Sequence, residues 1–151
     1  MHNEREHAVK VLNSLIETTL DSANGYREAA ENASEGQLRT MFAERAARRM
    51  ELTRQLQQEV RSFGGEPEDD QSLLGKAHNK FVDLKNAILG GRDDTAVIDE
   101  VERGEDFIKG KFEAALDDGD LPMEARQVVT RACEQIRLEH DEVSAMKRAR
   151  H

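Results

Sequence analysis

Five stretches of the chain carry apolar residues three and four positions apart, and glycine, proline or small polar residues separate them. That spacing returns to one face of an α-helix at every turn, so each stretch builds a helix with a single buried stripe. The first, residues 4–31, aligns Ala8, Leu12, Leu15, Ile16, Thr19, Leu20, Ala23, Tyr26 and Ala30. A second opens at Ser34, which with Gln37 has the form of a capping box, and runs to Phe63 with Leu38, Met41, Phe42, Ala46, Leu52, Leu56 and Val60 inward. Gly64-Gly65-Glu66-Pro67 stops it. A third, shorter stretch over 72–89 carries Leu74, Phe81, Val82 and Ile88 and ends at Gly90-Gly91. The fourth, 95–116, aligns Ile98, Val101, Ile108, Phe112 and Leu116. Pro122 opens the last, 122–148, with Val128, Val129, Ala132, Ile136, Val143 and Met146 inward.

Segment lengths then choose the topology. Four stretches are long, and the middle one spans roughly 30 Å at about 1.5 Å per residue, the height of a small bundle. A segment of that reach can carry the chain from the bottom of one helical hairpin to the top of another. The expected fold is all-α: a ferritin-like four-helix bundle with one long crossover carrying an additional helix, in a single domain over residues 1–151. The arrangement without a crossover would be a five-helix array.

Charge and cysteine content narrow the function classes. A net charge of −9 argues against nucleic acid, which needs clustered Lys and Arg against phosphate, and equally against an anionic membrane surface. Cys133 is the only cysteine, so no intramolecular disulfide can form, which fits a cytoplasmic protein. The charged start, Met-His-Asn-Glu-Arg-Glu-His, does not read as a signal peptide, and no apolar run reaches the roughly 18 residues of a membrane span. No phosphate-binding glycine loop, nucleophile elbow or Cys-x-x-Cys is present.

The polar residues on the stripes are the candidate site. Arg45 and Arg49 lie between Phe42 and Leu52, Glu105 between Val101 and Phe112, and His140 between Ile136 and Val143. Counting along the helices brings Arg49, Glu105 and His140 to one height, near the middle of the bundle. The simpler reading is a buried polar cluster of Arg45, Arg49, Glu105 and His140, because a buried charge must be paired. The sharper one is a metal or ligand pocket on Glu105 and His140, which a central guanidinium would oppose by repelling a divalent cation. A regular di-iron centre needs two lone Glu and two Glu-x-x-His pairs facing inward. The one Glu-x-x-His is Glu4–His7, at the terminus. His78, at a stripe position of the third stretch, is either a ligand-binding residue or a satisfied core histidine. Cys133 reads as a small buried hydrophobe, and the acidic run 66–70 as a solvated linker without the pattern of a calcium loop.

Several runs also carry a resemblance. Leu15 to Asp21 followed by Gly25-Tyr26-Arg27-Glu28-Ala29-Ala30, then Gly64-Gly65-Glu66-Pro67, Glu102-Arg103-Gly104-Glu105-Asp106 and His140-Asp141, resemble a bacterial family of unknown function classed as ferritin-like four-helix-bundle proteins. The resemblance covers essentially the whole chain and implies the ferritin-like fold. Relatives in the wider superfamily bind two metals, which makes Glu105 and His140 the residues to carry over as ligands; Glu17 and Glu102 would need their helices rotated.

Two functions follow as expectations. The first is a non-enzymatic structural or interaction protein, associating as a homo-oligomer or with a protein partner, in a setting such as a stress response. It is motivated by the absent catalytic motifs and by Asn13, Glu17, Asp21 and Asn24 beside the first stripe. It needs no cofactor. The alternative is a metal-binding protein of di-iron or di-manganese type with a non-standard site. A small ligand held between helices is a third expectation.

Overall fold

In a computed structural model of the chain, the described residues are 2–69 and 93–150. They form four helices: α1 (His2–Asn32), α2 (Gly36–Ser62), α3 (Asp94–Leu116) and α4 (Met123–Arg150). Among the described residues there is no strand. No described helix is long and apolar enough to cross a membrane. α1 packs most extensively on α2, and α3 on α4; α1 also meets α3, whereas α2 and α4 approach sparingly. The stripes meet in one apolar core whose largest members are Tyr26, Phe42, Phe112, Leu12, Leu20, Leu56 and Ile108.

The ends of the helices define the topology. At one end, the turn between α1 and α2 lies against the start of α3: the Asp94 carboxylate accepts the backbone N–H groups of Ser34 (2.6 Å) and Glu35 (3.0 Å). At the other end, α2 closes with the N–H of Gly64 on the carbonyl of Arg61 and that of Gly65 on Val60. This is a Schellman turn, with Gly64 at φ 80°. The chain then turns back beside α1, where Asn13 bonds the carbonyl of Glu66 (3.0 Å) and the N–H of Glu68 (2.8 Å). Residues 68 and 93 thus stand toward opposite ends, so α2 and α3 run in the same direction, as in ferritin-like bundles. The helix expected over 72–89, with His78, lies outside the described residues.

One local expectation is corrected. The Ser34–Gln37 capping box does not form. α2 begins at Gly36 with Glu35 as its N-cap, and no side chain of the cap closes it. Asp94 supplies the missing acceptor from another helix, a long-range solution that adjacent residues cannot reveal. Of the polar residues beside the α1 stripe, Asp21 is buried and Asn13 clamps residues 66–68.

Gly65 lets that end close. A Cβ there would lie 2.6 and 2.8 Å from the two γ-carbons of Val9, a stiff β-branched side chain. Gly65→Ala should therefore lower the unfolding free energy by about 1–3 kcal/mol. Urea denaturation checks this, and an unchanged midpoint would mean α1 does not pack against this turn.

Candidate functional site

The centre of the bundle is polar, and each helix contributes to it. α2 brings Arg45 and Arg49 one turn apart on the inward face, both almost fully buried. α3 brings Glu105, α4 brings Glu139, and α1 brings Ser22 and Tyr26, all buried. Two guanidinium groups and two carboxylates thus share one low-dielectric space with opposite charges matched, the condition under which buried ions persist.

Arg49 is the hub. Its Nη1 donates to the Ser22 hydroxyl (2.7 Å) and stands 2.8 Å from Oε1 of Glu105. Nη2 donates to Oε2 of Glu105 (3.0 Å) and to Oε1 of Glu139 (2.9 Å), and Nε reaches the same Glu139 oxygen at 3.3 Å. The Tyr26 hydroxyl donates to Oε1 of Glu105 at 2.7 Å, and the tyrosine ring stands 5.3 Å from the Arg49 guanidinium carbon. Arg45 donates to the Tyr26 oxygen (3.3 Å) and to Glu142 (2.7 Å), which carries the network out to the surface of α4. Gln135 and Arg48 bond the second oxygen of Glu139 at 2.9 and 3.3 Å. Among the described residues, no buried side-chain nitrogen or oxygen lacks a partner.

Titration follows from these contacts. Burial pushes the Tyr26 hydroxyl well above its usual range, and neighbouring Glu105 pushes it further, so the phenol stays neutral. Burial alone would lower the Arg49 pKa, but Glu105, Tyr26 and Glu139 outweigh it and lift the guanidinium above its ordinary value. Burial would likewise raise Glu139, yet Arg49, Gln135 and Arg45 hold its carboxyl below the usual value.

Of the residues expected to converge, Arg45, Arg49 and Glu105 lie together. His140 does not join them, and its place in the cluster is corrected. From Ile136, steps of three and four lead to Glu139 and His140, and both fit a helical stripe. The helix turns Glu139 inward, and His140 sits on the α3 flank with Nε2 2.6 Å from Asp106 and Nδ1 3.2 Å from Asp141. Electrostatics favours this choice, because two buried guanidinium groups need two carboxylates and an imidazole neutralises neither. That charge count was the signal pointing to Glu139. For Tyr26 the signal was its hydroxyl, which needs an acceptor when buried. Cys133 is buried, and burial raises its thiol pKa.

The donor set can be tested against the metal centre of other ferritin-like bundles. Such a centre takes carboxylates from all four helices and histidines from two. Here α2 presents guanidinium groups, α1 presents a hydroxyl and a neutral phenol, and the carboxylate oxygens facing the centre are already bonded. A divalent cation beside Glu105 would fall within ion-pair distance of the Arg49 charge. The residues do not fit a di-metal site. Among the described residues, no three His, Cys, Asp or Glu side chains are grouped to hold a metal ion.

Two outcomes follow from this geometry. Arg49→Met leaves Glu105 and Glu139 short of a buried counter-ion and should cost about 3–5 kcal/mol in chemical denaturation. His140 behaves differently. Burial opposes its charge, but Asp106 and Asp141 win and raise its pKa above the ordinary 6.5. The stability it contributes is therefore fully present below that value and is lost as pH rises through the raised pKa. Stability of the wild type should fall between about pH 6 and about pH 9 more than that of His140→Gln, measured by urea unfolding. Equal slopes would show that the imidazole gains nothing from its two carboxylates.

Comparison with known proteins agrees with this architecture. The model of a domain of unknown function, DUF2383, matches residues 7–118. No curated protein matches the sequence. Among solved structures, a mutant of Mycobacterium smegmatis Dps1 superposes with a TM-score of 0.82 over 97% of this chain and 99% of that one, at 8% sequence identity. At that identity the likeness is one of fold. The chain belongs to the DUF2383 family, a ferritin-like helical protein whose family is of unknown function.

Proposed function

We propose that this protein is a non-enzymatic ferritin-like bundle that works by association, with further copies of itself or with another protein, and holds no iron or manganese at its centre. One observation carries this reading: the Arg49 guanidinium is clamped between Glu105 and Glu139, where metal chemistry would need free carboxylate oxygens. The competing metal reading requires Glu105 and His140 to share a site, and His140 faces Asp106 instead. With the centre committed to ion pairing, the outer faces of the helices are left to act. Leu138, at 65% exposure, is a large apolar side chain on the outer face of α4, between exposed Arg137 and Asp141. An apolar side chain framed by charges suits the core of a modest protein contact.

Metal analysis and sedimentation test the two halves. Untagged protein exposed to iron(II) or manganese(II) and desalted should retain no stoichiometric metal; one or two equivalents retained would sink the reading. Wild-type protein should sediment as a concentration-dependent assembly, and Leu138→Glu should shift it toward monomer with helicity unchanged. A monomer at every concentration would exclude self-association and leave a different protein as the partner.

A further inference from the structure

The environment of Arg49 has a specific shape. Each of its three guanidinium nitrogens meets an acceptor within 3.3 Å. Glu105 lies along one edge, with Oε1 facing Nη1 and Oε2 facing Nη2, the two-pronged geometry that planar guanidinium and carboxylate share. Glu139 bonds Nη2 and Nε, and the Ser22 hydroxyl takes the remaining side. The Tyr26 ring stands 5.3 Å from the guanidinium carbon, within the range of a cation–π contact. These groups come from three helices, α1, α3 and α4, and none from the helix that carries Arg49. Both carboxylates are also held by bonds that do not involve Arg49: Tyr26 holds Glu105, while Gln135 and Arg48 hold Glu139.

We propose that the bundle centre is a guanidinium receptor assembled by α1, α3 and α4, whose resident ligand is the chain's own Arg49. This rests on the reading of the centre as ion-paired rather than metal-bearing. Three features select guanidinium over other cations. A planar fork satisfies both oxygens of Glu105 at once, whereas an ammonium is a compact point charge. The flat face of guanidinium suits the Tyr26 ring. A divalent metal would gather carboxylate oxygens at about 2.0–2.6 Å, closer than acceptors spread around a planar ligand. Arg45 stands beside this place rather than in it, with Nη1 on the Tyr26 oxygen at 3.3 Å, Nε 3.5 Å from Oε2 of Glu139, and Nη2 on Glu142. The receptor therefore outlives the tether, and truncation of Arg49 leaves a cavity that accepts a free guanidinium ion or a short alkylguanidinium from solution.

The experiment uses the full chain and two variants, Arg49→Ala and Arg49→Lys. Guanidinium and ethylguanidinium are titrated to tens of millimolar, below denaturing levels, with matched sodium chloride and manganese(II) as separate arms. The melting temperature of Arg49→Ala should rise by roughly 3 °C or more with guanidinium or ethylguanidinium, as expected for a ligand that binds the folded state. Sodium chloride and manganese should not reproduce the rise, and the wild type should show none. If Arg49→Ala is unfolded in buffer, dilution into ethylguanidinium should restore its helical circular dichroism. Arg49→Lys, which keeps the charge but loses the fork, should melt well below wild type. Absence of any guanidinium response in Arg49→Ala, a stronger response to manganese, or an Arg49→Lys protein as stable as wild type would each overturn the proposal. The wild-type metal analysis separates the two claims: metal uptake by the unmodified protein contradicts the association reading, whereas failed rescue contradicts the receptor alone.

Discussion

A single guanidinium is the constraint on which the rest of this bundle depends. Arg49 leaves α2 and touches α1 through Ser22 and Tyr26, α3 through Glu105 and α4 through Glu139. Withdrawing such ions from water costs several kcal/mol each, and attraction in the interior offsets that cost only when every partner is in place. Apolar stripes tolerate small sliding of one helix on another; a buried ion network does not. A shift of one turn, about 5.4 Å, would separate Arg49 from Glu105 or Glu139 and leave a charge unmet. On this account the apolar core supplies adhesion and the polar centre supplies register.

Contacts at the two ends enforce the same alignment. Asp94 of α3 caps the turn that opens α2, and Arg150 near the end of α4 pairs with Glu35 beside it. At the opposite end Arg126 of α4 donates to the carbonyls of Leu116 and Asp118, and His7 of α1 bonds the Asp118 carboxylate. Each of these contacts joins one hairpin to the other or closes a hairpin on itself. The sparse approach of α2 and α4 is explained by the centre: Arg45, Arg48 and Arg49 are long side chains, and they bridge the gap to Glu139 and Glu142. Surface pairs of this kind contribute little individually, which leaves the buried members to decide the geometry.

Much of this architecture is legible from spacing alone. The stripes locate the four described helices to within about two residues at each end, because amphipathic periodicity is a local property. The convergence of Arg45, Arg49 and Glu105 is legible for the same reason, as interruptions of otherwise apolar series. Three features were not. The acceptor for the N–H groups of Ser34 and Glu35, in the turn before α2, is Asp94, some sixty positions away. The choice between Glu139 and His140 depends on the rotation of α4, which a stripe defines only to within one position. Tyr26 counted as an apolar stripe member, while its hydroxyl is a working part of the centre. In each case the missing information lay between helices.

The same network connects fold and function. The centre of this bundle is occupied by its own paired charges, and on the proposed reading the outer faces of the helices carry the function. The central claim is that Arg49 and Glu105 act as one unit rather than as two independent polar residues. A double-mutant cycle over Arg49→Met and Glu105→Gln, read by equilibrium denaturation, measures that coupling directly. The account predicts an interaction of about 2 kcal/mol or more, with the double variant losing much less than the two single losses combined. Losses that add to within about 0.5 kcal/mol would contradict it.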